Sequence, residues 1–263
     1  MQDRYELHEE IGRGAGGVIH RATDHDLRRQ VAIKRLERHG SSRLQRLRFV
    51  TEAQVPAQLA HPNIIPVHDL GKTPSGDLFY VMKLVQGFTL KERISQGARR
   101  DQVLDWLEQV CRGLGFAHHQ GVLHRDIKPS NLMIGAFGEV LILDWGLARS
   151  PQGTIRDEVS PMTLDGDVLG SLGYMAPEQA RGEAEVQGPW TDVHALGGIL
   201  YELLMGSPPR HATTLDQLLP LLNTLPVPPP GPLGALTLRC LSPNPGARPQ
   251  NAQELGELLE LSR

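Results

Sequence analysis

The sequence predicts an α+β fold in two unequal lobes, a small antiparallel sheet with one helix followed by a larger, mainly helical portion. Three observations carry this. Segments 5–11, 18–23, 30–35, 67–71 and 78–83 are short and bounded by Gly, Asp or Pro, as strands are. Among them only 43–59 has helical spacing, with Leu44, Leu47, Val55 and Leu59 as its apolar candidates. Beyond 88 the long regular runs are helical. The chain therefore divides into a first lobe of about 1–82, a connection of about 83–87 and a second lobe of about 88–263.

In the second lobe, 102–120, 192–205 and 252–261 read as amphipathic or wholly apolar helices, the last capped by Asn251. Two short strands, 132–134 and 140–143, interrupt them. Segments 150–170 and 226–232 resist regular structure, the first through polar residues and the second through proline. An irregular stretch as long as 150–170 inside a compact domain marks function or movement. No internal repeat is present.

With 263 residues, 40% hydrophobic and 22% charged, the chain can bury a sizeable core and lies outside the disordered range. A net charge of −3 is too balanced for a nucleic-acid or membrane surface. The polar, acidic start MQDRYELHEE is unlike a signal peptide, and no apolar run reaches the ~18 residues of a membrane span. Cys111 and Cys240 fall in helix-like segments and form no disulfide framework. A cytoplasmic, reducing location follows as the expectation.

The chemistry is concentrated in a few stretches. In IGRGAGGVIHRATD, Gly12, Gly14 and Gly17 lie between two strands, where glycine lets backbone N–H groups approach an anion. A dinucleotide fingerprint or Walker loop would lead from strand into helix, so a Rossmann fold is disfavoured. VAIK ends in Lys34, one of few lysines, and Glu52 in the helical segment is its candidate partner. HRDIKPSN packs His124, Arg125, Asp126, Lys128 and Asn131 into one loop that Pro129 keeps from becoming helix. Asp126 can accept a proton, Lys128 can neutralise a transferring phosphate, and Asn131 can offer an amide oxygen to a metal. A strand–turn–strand path then returns the chain to Asp144, at the end of the apolar run 140–143 and ahead of Trp145 and Gly146. Asn131 and Asp144 can thus converge on one hard cation, and oxygen ligands suit Mg²⁺.

On these motifs the chain resembles the protein kinases, specifically the bacterial eukaryotic-like (Hanks-type) serine/threonine kinases. The resemblance runs from the Gly-rich loop to CLSPNPGARP. It implies a two-lobed kinase fold and transfer of the ATP γ-phosphate to Ser/Thr hydroxyls of protein substrates, with Mg²⁺, or Mn²⁺ in its place. By this likeness Lys34 holds the α- and β-phosphates with Glu52 behind it. Asp126 is the catalytic base, Lys128 the Ser/Thr form of the loop, and Asn131 and Asp144 the metal ligands. The nucleotide is expected against Ile11, Gly12, Arg13, Gly14 and Gly17. Its ring is expected between Ile11, Ile19, Ala32 and Leu132, with Met82 as gatekeeper and the backbone of Lys83 and Val85 at its edge. Asp192 braces the catalytic loop, and Glu178 of MAPE pairs with Arg248. Ser171 stands where such kinases usually carry Thr.

Two departures are visible. Trp145 replaces the usual Phe and brings an indole N–H that needs a partner. Pro56 removes the N–H that would bond the Glu52 carbonyl, so the helix is either kinked or locally weak. Arg125 is expected to receive a phosphate from the activation segment. Thr163 is the preferred site over Thr154 and Ser160, with Asp165 and Asp167 as competing carboxylates. A transient homodimer would serve autophosphorylation. A pseudokinase, acting as nucleotide sensor or scaffold, is the alternative; such proteins usually lack one of the residues matched by Lys34, Asp126 and Asp144, and all three are present. A small-molecule phosphotransferase is disfavoured by Lys128, the APE triplet and the long segment 150–170.

Overall fold

The computed structural model describes residues 4–14, 16–36, 41–149 and 172–263. Strands β1 (Tyr5–Gly14), β2 (Gly17–Asp24), β3 (Arg29–Arg35), β4 (Val67–Lys72) and β5 (Leu78–Lys83) form an antiparallel sheet in the order β1-β2-β3-β5-β4. Side chains alternate across it. Val31, Ile33, Phe79 and Val81 join Tyr5 and Ala22 on one buried face. The opposite face carries Ala32, Lys34, Tyr80 and Met82, and the ladder sets Ala32 across from Met82 and Lys34 across from Tyr80. Lys34 is therefore placed by strand register.

Helix α1 (Arg43–Gln58) begins with a reciprocal cap: Ser42 Oγ accepts from Gln45 N–H at 3.2 Å and Gln45 Oε1 from Ser42 N–H at 2.7 Å. Of its apolar candidates Val55 and Leu59 are buried, but Leu44 and Leu47 are not on the buried side. Leu47 is exposed and Leu44 half-buried, while Phe49 and Ala53, one helical turn apart, pack on Tyr80 and Leu36. The helix runs through Pro56 and stops at Gln58, so proline costs one bond near an end already short of them.

The lobes are stitched behind the cleft. Asn63, just after α1, donates from Nδ2 to the Val140 carbonyl at 2.9 Å, and its own carbonyl accepts from Ile142 N–H at 2.9 Å. Strand β6 (Gly87–Thr89) pairs with β7 (Leu132–Gly135), and β7 with β8 (Val140–Ile142). The remaining helices are α2 (Leu90–Ser95), α3 (Arg100–His119), α4 (Pro177–Ala180), α5 (Pro189–Met205), α6 (Leu215–Leu221), α7 (Gly231–Cys240) and α8 (Ala252–Leu261). Helix α5 is buried from Thr191 to Tyr201 and forms the axis of the large lobe. Asn251 caps α8, accepting from Glu254 N–H at 2.9 Å. Cys111 and Cys240 are free and buried, and burial pushes both thiols up.

Candidate active site

The Gly-rich hairpin closes where Gly14 pairs with Gly17. Gly17 has φ +119°, and a Cβ there would lie 2.2 Å from the Arg35 carbonyl oxygen, so only glycine fits. Gly16 passes over the lysine: a Cβ on it would lie 2.7 Å from Lys34 Nζ. Below, Lys34 Nζ meets Glu52 Oε1 at 2.5 Å, and both side chains are buried. Burial alone would lower the Lys34 pKa, but the carboxylates of Glu52 and Asp144 outweigh it and the net shift is upward. Lys34 is a fixed cation facing the cleft.

Across the cleft, the loop from His124 to Asn131 is pinned from below by Asp192 of α5. Asp192 Oδ1 accepts from Arg125 N–H at 2.7 Å, and Oδ2 from His124 N–H at 2.9 Å. His118 Nε2 lies 2.9 Å from the same Oδ2. These bonds hold Arg125 at φ +67°, a conformation that non-glycine residues rarely adopt. The next residue, Asp126, receives Lys128 Nζ at 2.9 Å and Asn131 Nδ2 at 3.1 Å on Oδ2. Burial, with help from the Asp144 charge, raises the Asp126 pKa against the pull of Lys128. Asn131 Nδ2 also donates to the Asp126 carbonyl at 2.8 Å, which turns its Oδ1 away as the amide's acceptor.

Asp144 is brought beside Asn131 by one backbone bond, Leu143 N–H to the Asn131 carbonyl at 2.8 Å. It too has positive φ, +59°. Burial would raise its pKa, but Lys34, Lys128, His124 and the Gly146 N–H prevail and lower it, so the carboxylate is ionised. An amide oxygen and a carboxylate make a hard donor set, which fits a divalent cation that takes its other ligands from phosphate and water. Among the described residues no group of three His, Cys, Asp or Glu could hold a metal by itself. Trp145 is wholly buried, and its Nε1 donates to the Ile142 carbonyl at 3.3 Å while the ring packs on His124 at 4.6 Å. The extra N–H thus finds its partner within the same turn.

A cavity of about 1120 Å³ opens from the cleft between the lobes and continues over the large lobe as far as Arg210 and Gln217. Ile11, Gly12, Arg13, Gly17, Ile19, Ala32, Met82, Lys83 and Val85 line it, as do Lys34, Glu52, Lys128, Asn131 and Asp144. Ile11 is 44% exposed, an apolar side chain with one face on the cleft. The Lys83 N–H is spent on the Pro66 carbonyl at 3.0 Å. Leu132 is a correction. It is completely buried in the large-lobe core, and Met133 lines the cleft in its place. Along β7 Leu132 and Ile134 point inward and Met133 outward, so a one-residue slip in reading a short strand exchanged the faces.

A family model for the protein kinase domain matches residues 5–252. The chain belongs to the protein kinase family. It is 37% identical, over 97% of its length, to serine/threonine-protein kinase PknB of Mycobacterium tuberculosis, covering 42% of that protein. It is 36% identical over 82% of its length to serine/threonine-protein kinase PknD of Protochlamydia amoebophila, covering 24%. With serine/threonine-protein kinase PknD of Chlamydia trachomatis it shares 33% identity over 98% of its length, covering 31%. The chain therefore spans less than half the length of these relatives. Kinases of this family use ATP and a divalent metal.

One further contact, the pairing of Glu178 with Arg248, matches the sequence reading. Glu178 and Arg248 form a buried double bridge, Nη1–Oε1 at 2.7 Å and Nη2–Oε2 at 3.0 Å, and Thr191 Oγ1 donates to Glu178 Oε1 at 2.9 Å. Arg125 donates from Nε to the Leu147 carbonyl at 2.7 Å, next to the point where the activation segment begins. Thr154, Ser160, Thr163, Asp165, Asp167 and Ser171 lie outside the described residues. Two residues at the lysine were missed from sequence. Gly16 falls between the second and third glycines of the G-x-G-x-x-G spacing made by Gly12, Gly14 and Gly17. Tyr80, whose hydroxyl reaches Glu52, sits in a strand that reads as merely apolar. Among the described residues no helix is long and apolar enough to cross a membrane.

Proposed function

We propose that this domain is a serine/threonine protein kinase that moves the ATP γ-phosphate onto Ser/Thr hydroxyls of protein substrates. The observation that carries the reading is the meeting at one cleft of a glutamate-held lysine, of Lys128 and Asn131, which both bond Asp126, and of Asp144. Lys34 orients the α- and β-phosphates. Asp126, with its raised pKa, takes up the hydroxyl proton, and Lys128 beside it offsets negative charge on the moving phosphoryl group. Asn131 and Asp144 would hold Mg²⁺, or Mn²⁺ in its place, which would supply charge neutralisation at the phosphates. Ile11, Ile19, Ala32 and Met133 enclose the adenine, and Lys83 and Val85 present backbone to its edge. Autophosphorylation of the activation segment, with Arg125 as receiver, through a transient homodimer belongs to the same reading.

The test is transfer of radiolabelled phosphate from Mg-ATP to a generic protein substrate, with Lys34→Met and Asp144→Ala beside the wild type. Both variants should fold and lose transfer. Retention by Lys34→Met of more than a tenth of wild-type turnover, which is ~1.4 kcal/mol of barrier, refutes the assignment of the ATP site.

A further inference from the structure

Tyr80 has no task in the mechanism above, yet it is the third member of the lysine–glutamate contact. It is buried in β5, directly across the ladder from Lys34. Its hydroxyl donates to Glu52 Oε1 at 2.7 Å, the same oxygen that meets Lys34 Nζ. Its ring packs on Phe49 of α1, centroids 5.1 Å apart. Phenylalanine would fill the same space. The oxygen is what needs a reason, because a buried hydroxyl is costly unless bonded, and this one is bonded to Glu52.

The helix supplies a need for it. Pro56 offers no N–H to the carbonyl of Glu52, so α1 is short of one bond at the residue whose carboxylate must be held still. A lysine is a flexible partner. A tyrosine hydroxyl on a strand, with its ring packed, is a rigid one.

We propose that Tyr80 is a positioning residue, which fixes the Glu52 carboxylate against the sheet so that Lys34 is aligned for phosphates before the activation segment makes any contact. This rests on the kinase reading of the same cleft. In that state the closed arrangement of α1 is built into the small lobe.

The test is ATP kinetics on phosphatase-treated chain for wild type, Tyr80→Phe, Glu52→Ala and the double variant. Tyr80→Phe should lower kcat/KM for ATP about tenfold, equivalent to ~1.4 kcal/mol, with KM for the protein substrate unchanged. In the Glu52→Ala background the same substitution should change the rate by less than about twofold, because the hydroxyl acts through the carboxylate. Wild-type ATP kinetics in Tyr80→Phe overturn the proposal, even with a lowered melting temperature, since packing alone would then account for the residue. An equal loss in both backgrounds also overturns it. A wild-type chain that transfers no phosphate, like its Asp144→Ala control, refutes the underlying kinase reading instead.

Discussion

Replacing Asp192 by alanine tests how the loop that carries Asp126 is held in place. The residue is 1% exposed, and its carboxylate accepts two backbone N–H bonds, from Arg125 at 2.7 Å and His124 at 2.9 Å, besides its contact with His118. Arg125 at φ +67° stores roughly 1–3 kcal/mol of strain that these bonds offset. Alanine leaves two buried donors unpaired, each costing about 1–3 kcal/mol. Together the two come to about 4 kcal/mol. At about 2.1 cal/mol/K of unfolding entropy per residue, a 263-residue domain loses about 7 °C of melting temperature. Calorimetry reads this directly. Because Asp126 follows Arg125, kcat should fall by about a hundredfold or more, and KM for ATP should rise by much less, since Lys34 and the small-lobe contacts to the nucleotide stay in place. An asparagine side chain would keep one acceptor but turn an NH₂ towards the other donor, so Asp192→Asn should fall between. If Asp192→Ala melts within about 2 °C of wild type and retains more than about a tenth of kcat, other contacts hold the loop. The Gln179 Nε2 bond to the Arg125 carbonyl at 2.7 Å would be the first of them.

Trp145→Phe should cost about 1–2 kcal/mol as a partial cavity and leave activity within about threefold, because the Ile142 carbonyl keeps its bond from Ile65 N–H. A larger loss of activity at unchanged melting temperature would show that the indole sets the position of Asp144. Glu178→Gln should destabilise by about 3–5 kcal/mol, since it leaves the buried Arg248 guanidinium uncompensated; a melting temperature close to wild type would contradict this. In the small lobe, the Arg4 guanidinium bonds Asp24 and lowers its pKa from 3.8 to about 2. The folded pKa is depressed, so this contribution is present above about pH 4 and vanishes as pH falls towards 2. The melting difference between wild type and Asp24→Asn should shrink over that window, and a difference constant down to pH 2 would refute the linkage.

How much of this could be read from residues alone depends on where each residue's partner lies. HRDIKPSN was legible because its groups act on one another within a single loop, as Lys128 and Asn131 do on Asp126. Lys34 and Glu52 were legible as a pair because each belongs to a recognisable motif. Tyr80 was not, since the chain gives no local sign that a strand hydroxyl meets a helix carboxylate 28 residues earlier. Leu132 was misplaced for a different reason: the period of a strand is two, so its faces depend on register, which so short a run does not specify. Leu44 and Leu47 misled, while Val55 and Leu59 did not, because burial in the first turns of α1 is set by Tyr80 and Leu36 across the interface, not by the spacing within the helix. Backbone strain is the least visible quantity of all. Arg125 and Asp144 both adopt positive φ without being glycine; Arg125 precedes Asp126, the proposed base, and Asp144 is itself a proposed metal ligand. Nothing in their side-chain chemistry demands that conformation. It is imposed on Arg125 from outside, by Asp192 sixty-seven residues away in sequence, so the geometry of the site is a property of the folded large lobe rather than of its motifs. That is why Asp192, which touches no substrate in the proposed mechanism, is the substitution expected to separate folding of the catalytic loop from binding of ATP.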